Sequence, residues 1–313
     1  MLQALPCSKE AMNNKKTQVI SIVGAGGKTS LLYTLAEMFL RGDGDLRLFG
    51  LEPMGGMPDN GKAKHGVREN GGAPRVLVTT TTKILVPDHC GWCADFPSVK
   101  KEWEAGRYAV AGTLTEEYPP NADRLLRKLG PLPEKEFREA LAAADVVLIE
   151  ADGARHLPLK LPASHEPVIR PETTAVLGVA GLSCIGKTLR EVCFRAELAE
   201  SVPELCDLPG GKVKQEEKAG RQEGAAGQTV TAEVVAAILV SEQGTRKNAG
   251  DRPYLAVLNQ CTTPERKAAG EKILRLLREN CQVNGVLTAL SAPSGYRKTE
   301  YGSQPSDHLE IYK

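Results

Sequence analysis

The chain has 313 residues and a mass of 33.6 kDa, enough for one large domain or two modest ones around a real core. Its 40 Lys and Arg against 39 Asp and Glu leave a formal charge of +1, so there is no electrostatic footprint for duplex nucleic acid or an anionic membrane surface. No apolar run approaches the roughly 20 residues that cross a bilayer, residues 1–16 are polar without an apolar h-region, and eight cysteines are too dilute for a disulfide scaffold. The expectation is a cytoplasmic α/β protein with a small-molecule site and neither nucleic acid nor membrane as partner.

In chain order, residues 1–16 read as a flexible arm. The β-branched run Val19–Val23 predicts a strand, and Lys28–Leu40 predicts a helix with Leu31, Leu32, Leu35 and Phe39 on one side. Residues 42–74 carry Gly55-Gly56, Gly71-Gly72 and few bulky apolar groups, so they read as an insertion with a short strand near Leu46–Leu51. Strands are predicted at Arg75–Thr79, Tyr108–Ala111 and Asp145–Ile149, with helices at Asp123–Leu129 and Glu134–Ala143. A strand at Ala175–Val179 and a helix over Thr188–Leu198 follow. Residues 209–229, rich in Gly, Lys and Glu, read as a disordered linker. A helix at Thr231–Val240, a strand at Tyr254–Leu258, a helix at Pro264–Asn280 and a strand at Val283–Leu287 complete the chain. Strands alternating with helices imply a doubly wound, mostly parallel sheet covered on both faces. The core is then residues 17–208, with 230–313 completing the same domain.

Between the first strand and helix stands Gly24-Ala25-Gly26-Gly27-Lys28-Thr29-Ser30. Glycines let the backbone curl its N–H groups toward a phosphate, and the helix N-terminus adds positive dipole. Lys28 would meet the β- and γ-phosphates of ATP or GTP, and the Thr29 hydroxyl would ligate Mg²⁺. The loop is compressed: only two residues separate Gly24 from Gly27-Lys28, where four are usual. The usual spacing occurs instead at Gly181-Leu182-Ser183-Cys184-Ile185-Gly186-Lys187-Thr188. The first site is preferred because a phosphate loop needs a carboxylate at a neighbouring strand tip. Val146–Ile149 leads into Glu150-Ala151-Asp152-Gly153, whereas the strands after Lys187 end in Leu258-Asn259 and Leu287-Thr288.

Glu150 and Asp152, two apart in an extended segment, point to one face. One carboxylate serves the metal shell and the other orients water; Asp152 is taken for the metal and Glu150 for the water, with the reverse left open. The loop beyond holds Arg155, His156, Lys160, His165, Glu166 and Arg170 among Pro158, Pro162, Pro167 and Pro171. Loops at the carboxyl ends of parallel strands line the ligand crevice. Arg155 is therefore expected to offset phosphate charge, and His156, Lys160, His165 and Glu166 to face a substrate. Lys83, after the four threonines 79–82, is the cation expected beside the γ-phosphate. Asn259 stands where guanine-binding NTPases carry Asn-Lys-x-Asp and is expected to brace the nucleotide pocket, but Thr262 replaces the base-reading acid. His89, Cys90 and Cys93 lack a second ligand pair for structural zinc and read as ordinary residues of a loop.

Val-Gly-Ala-Gly-Gly-Lys-Thr-Ser at 23–30, Val-Thr-Thr-Thr-Thr-Lys-Ile at 78–84 and Ile-Glu-Ala-Asp-Gly-Ala-Arg-His-Leu-Pro-Leu-Lys at 149–160 together resemble the YqeC family. His165-Glu166-Pro167-Val168-Ile169 and Gly186-Lys187 through Phe194-Arg195-Ala196-Glu197-Leu198 extend the resemblance, which runs from about Thr17 through Leu208 and more weakly to the end. In that family the second Gly-Lys is ordinarily not a phosphate loop. The resemblance implies a P-loop NTPase-like fold and an accessory role in maturing selenium-dependent molybdenum hydroxylases, so such a hydroxylase or its cofactor-maturation proteins are the implied partners. Two other readings stand beside an NTPase: an ATP-dependent ligase or kinase on a small substrate, and a non-catalytic nucleotide-sensing chaperone.

Overall fold

A computed structural model of the chain describes residues 17–42, 72–87, 90–118, 126–209, 224–290 and 311–312. Its strands are β1 Gln18–Gly24, β2 Val76–Thr80, β3 Ile84–Leu85, β4 Ala109–Val110, β5 Thr113–Tyr118, β6 Leu126–Gly130, β7 Val146–Glu150, β8 Leu159–Lys160, β9 Ala175–Gly181, β10 Cys193–Phe194, β11 Tyr254–Asn259, β12 Asn284–Thr288 and β13 Ile311–Tyr312. The helices are α1 Lys28–Arg41, α2 Phe96–Glu104, α3 Glu134–Ala143, α4 Leu189–Val192, α5 Pro203–Cys206, α6 Ala232–Val240 and α7 Pro264–Cys281.

The main sheet runs β13-β12-β11-β9-β1-β7-β2-β4. Its strands from β12 to β4 pair in parallel, and β13 alone joins antiparallel, on β12. Parallel neighbours need crossovers, and the helices that make them bury both sheet faces. Ile20, Ile22, Val146, Leu148, Leu177 and Val179 meet Leu31, Leu32, Leu35 and Phe39 of α1 on one face. On the other face, Val19, Val147 and Ile149 meet Val99 of α2 and Phe137 and Ala140 of α3. Further along, Ala180, Ala256 and Leu258 meet α6 and Ile273 and Leu277 of α7. The α1 residues fall at helical spacing, so each is taken wholly out of water, worth about 1.5–3 kcal/mol apiece before entropy is counted. The strand runs β1, β7, β9 and β11 are continuously apolar because both of their faces are covered.

Two predicted elements are corrected. The described part of the predicted helix 123–129 is not helical: Leu126–Gly130 is a strand, paired antiparallel with β5 on one side and β3 on the other. Leu129 enters the core from this strand beside Ile84. Non-local pairing with the Thr-rich β5 overrides a locally helix-compatible Leu-Arg-Lys-Leu. The predicted helix Thr188–Leu198 is only one turn, α4, because Cys193 and Phe194 pair in parallel with Leu159 and Lys160. Arg195, at φ 63°, then turns the chain into a 3-10 segment, Ala196–Ser201. The helix α2 goes unread in the sequence, although Asp95 caps it by accepting from the Ser98 amide at 2.8 Å and Pro97 lies in its first turn. The predicted strand at Leu46–Leu51 and most of the 42–74 insertion lie outside the described residues, as do 210–223 of the expected linker. Within the rest of that linker, Ala225–Gly227 forms a 3-10 turn with Ala225 buried.

Candidate functional site

The site forms where β1, β7, β9 and β11 end. Register fixes its geometry: Ile22 of β1 lies beside Glu150 of β7, and Gly24 beside Val179 of β9. Two residues past Glu150, Asp152 accepts a hydrogen bond from the Gly24 amide through Oδ2 at 3.2 Å. The Ala25 amide donates to Val179 O at 2.9 Å and the Gly26 amide to Leu157 O at 3.1 Å. The first three amides of the glycine bend are thus spent on protein acceptors. The next four are not: among the described residues nothing accepts from the amides of Gly27, Lys28, Thr29 or Ser30, and α1 has no side-chain cap. These N–H groups sit at the positive end of a 14-residue helix, the arrangement that binds anions. Gly27 holds φ at 128°, and a Cβ there would lie 2.1 Å from Asn259 Nδ2, so no other residue fits.

Asn259 does brace this loop. Its Nδ2 donates to Gly26 O at 2.9 Å, while its Oδ1 accepts from Thr288 Oγ1 at 3.1 Å and the Leu290 amide at 2.9 Å. All of its hydrogen bonds found here go to protein groups, tying the glycine bend to β12.

The Lys28 ammonium is folded into the bend, donating to Gly24 O at 2.6 Å and lying 3.2 Å from Asp152 Oδ1. Thr29 Oγ1 donates to Glu150 Oε2 at 2.8 Å, and Thr80 Oγ1 donates to Glu150 O at 2.8 Å. Burial pushes the Glu150 carboxyl above its ordinary range, opposed by the charge of Lys28 and the Thr29 hydrogen bond. Lys160, only 1% exposed, bridges two carboxylates, Asp152 Oδ2 at 3.1 Å and Glu166 Oε2 at 2.8 Å. Arg195 Nη1 donates to the same Glu166 oxygen at 2.6 Å. Burial raises the Glu166 carboxyl, but close contact with the Lys160 ammonium, the Ala163 amide and the charge of Arg195 more than reverse this and hold it below the usual range. One buried chain of alternating charge therefore runs Lys28–Asp152–Lys160–Glu166–Arg195. Asp152 Oδ1 and Lys160 Nζ make close charge contacts but no aligned hydrogen bond, so both keep unused bonding capacity.

The structure brings together Gly24, Ala25, Gly26, Gly27, Lys28, Thr29, Ser30, Glu150, Asp152 and Asn259. It puts Lys160 and Glu166 inside the ion chain rather than facing solvent, while Arg155, His156 and His165 are exposed around it. Lys83 goes elsewhere: its ammonium pairs with Glu116 of the small sheet formed by β3, β6 and β5. The threonines before it are largely absorbed, Thr79 donating to Ala111 O and Thr81 to Val168 O. Sequence reasoning missed Arg195 and Phe194 as site residues; the pair was visible as Phe-Arg but reaches the site only through the β8–β10 pairing. Cys90 lies against the Tyr108 hydroxyl at 3.1 Å, and burial pushes its thiol up, the reverse of what a reactive thiolate needs. His89 lies outside the described residues.

Thr29 Oγ1, Glu150 and the unsatisfied Asp152 Oδ1 are hard oxygen donors, the chemistry Mg²⁺ takes. Among the described residues no three His, Cys, Asp or Glu converge to hold a metal. No helix among them is long and apolar enough to cross a membrane.

Residues 67–197 match the family model described as YqeC protein. The chain is 31% identical over 187 residues to "Uncharacterized protein YqeC" of Escherichia coli (strain K12), covering 55% of each. It thus spans about half the length of that relative. No solved structure gives a significant match. The matched segment contains Glu150 through Arg195 and stops short of the glycine bend.

Proposed function

We propose that the chain, whose residues 67–197 match the YqeC family model and which resembles a YqeC protein over 55% of its length, is a Mg²⁺-dependent nucleotide-binding accessory protein that hydrolyses ATP or GTP in the maturation of selenium-dependent molybdenum hydroxylases. The client follows from the resemblance; the nucleotide reading rests on chemistry. One observation carries it: four unpaired amides open α1 directly beside a Thr29–Glu150 hydrogen bond of 2.8 Å. A phosphate chain would take those amides, and the Lys28 ammonium would leave Gly24 O to meet its charge. Thr29 and Glu150 would hold Mg²⁺, which supplies charge neutralisation to the phosphates. Asp152 then serves as the positioning group of Lys28 and Lys160, so the roles first assigned to the two acids are exchanged. Asn259 keeps the bend in shape from behind. Arg155 stands at the edge, available to anionic groups.

The test is phosphate release from Mg·ATP and Mg·GTP by wild type and Glu150→Gln. Release should fall by about 100-fold in the variant, the scale of a lost charge-stabilising contact, with the fold intact by circular dichroism. Because the folded Glu150 carboxyl lies above its ordinary value, proton and cation compete for it. Wild-type Mg²⁺ dependence should steepen as pH falls through that raised value, and Glu150→Gln should lose this pH dependence. Across the same window the folded state holds more protons than the unfolded, so stability should drop as pH rises. The variant should be flat there. Mg²⁺-independent nucleotide affinity, equal in both proteins, would overturn the metal assignment.

A further inference from the structure

Beyond the cradle, a second set of charges is left open. The ring of Phe194, half-buried at the end of β10, has three cations around it. Arg195 Cζ stands 4.2 Å from its centroid, Arg155 Cζ 4.9 Å and Lys160 Nζ 5.9 Å. Two carboxylates answer them: Asp152 on Lys160, and Glu166 shared between Lys160 and Arg195. Asp152 and Glu166 are already engaged by Lys28, Lys160 and Arg195, so no carboxylate among the described residues is left to answer Arg155. Among the described residues Arg155 makes no ion pair or hydrogen bond through its guanidinium; its only contact of note is the ring. A guanidinium stacked on an aromatic face is oriented by it, while its in-plane N–H fork stays free for a planar or tetrahedral oxyanion.

The position of this rim is set by the ion chain. Lys160 touches both Asp152, which holds Lys28, and Glu166, which holds Arg195. A group on Arg195 is therefore linked to the lysine of the phosphate cradle through three buried side chains, Glu166, Lys160 and Asp152. Arg155 and Arg195, at φ 49° and 63°, are both in the left-handed region, as is His156 at 62°. The backbone on both sides of the ring is thus bent to bring two arginines, distant in sequence, to one spot.

We propose that Arg155 and Arg195, stacked on Phe194, form the binding site for the oxyanion of a second small substrate, a carboxylate or a phosphate monoester, held beside the nucleotide cradle. The donor side of this statement rests on the nucleotide reading above; the arginine site itself does not. It makes the protein a two-ligand machine rather than a bare phosphate binder. Lys160 and Glu166 act as positioning residues beneath it, Lys160 fixing Glu166 and Glu166 fixing Arg195.

The test is calorimetric titration of the full chain, saturated with Mg²⁺ and a non-hydrolysable ATP analogue, with inorganic phosphate and separately with succinate. Wild type should bind one of them, and the arm that binds identifies the oxyanion. Arg155→Met keeps the contact with Phe194 and breaks no ion pair, so it should fold as wild type. Its anion affinity should be weaker by about tenfold or more, as for loss of a charged hydrogen-bond donor, with analogue affinity unchanged. Arg195→Lys should weaken the same anion. Equal anion affinity in wild type and Arg155→Met, or binding of neither anion by wild type, overturns the proposal. If the analogue itself fails to bind, the cradle reading is what has failed. The same titration on nucleotide-free Lys28→Ala protein then still decides the arginine site.

Discussion

The chain contains two turns that place Gly-Lys-Thr between a strand and a helix, and their contrast shows what a phosphate site requires. The turn at 181–188 has the usual spacing, yet its donors are spent. The Gly186 amide donates to Val230 O, the Lys187 amide to Cys184 O, and the Thr188 amide and hydroxyl both reach Glu191 Oε2. Leu182 and Cys184 are buried where a phosphate would need room, and the helix that follows is a single turn. The turn at 24–29 has the wrong spacing but keeps four amides unpaired at the head of a long helix, with Glu150 and Asp152 on the adjoining strand end. Availability of amides and an opposing acid, rather than glycine count, separates the two.

The largest expected effect that would break this contrast lies at Asp152. Replacing it with Ala removes the carboxylate between two buried ammonium groups, and leaving such charges unpaired costs about 3–5 kcal/mol. Urea denaturation should show a loss of that size for Asp152→Ala, against a far smaller one for Glu191→Ala, whose capping role in the other turn is worth about 1 kcal/mol. Similar losses at the two acids would mean the ion chain is not the organising feature of the first turn. A smaller effect sharpens the contrast between glycines. Gly27→Ala, at a φ of 128°, must displace the Asn259 side chain, whereas a Cβ on Gly186, at φ 79°, meets nothing within 4 Å. Gly186→Ala should therefore cost only the strain of a left-handed residue, about 1–2 kcal/mol, with nucleotide affinity unchanged. Gly27→Ala should cost more and abolish nucleotide binding in the same titration.

Much of the fold was legible because its strands are buried on both sides. Val19–Val23, Val146–Ile149, Ala175–Val179 and Tyr254–Leu258 are apolar runs that need no partner to be recognised, and the acid pair at the end of one of them pointed to the companion of the glycine bend. What could not be read depends on distant partners. Leu126–Gly130 is a strand only because β5 and β3 flank it. Cys193–Phe194 leaves its helix only because Leu159–Lys160 offers a ladder. The same pairing hides the roles of Lys160 and Glu166. In sequence they are charges in a proline-rich loop, which reads as solvent-facing and substrate-binding. In the structure they are buried, and their charge is answered by Asp152 and Arg195. Lys83 shows the converse: an ammonium after a strand of the main sheet, drawn to Glu116 on the small one.

The central claim is that nucleotide is held by the compressed bend and not by the turn of usual spacing. The most direct measurement is a titration of Mg·ATP and Mg·GTP into wild type, Lys28→Ala and Lys187→Ala. Losing the bend lysine should weaken binding by about 100-fold, ~2.7 kcal/mol, while Lys187→Ala stays at the wild-type value. Affinity that survives in Lys28→Ala and disappears in Lys187→Ala would contradict the account.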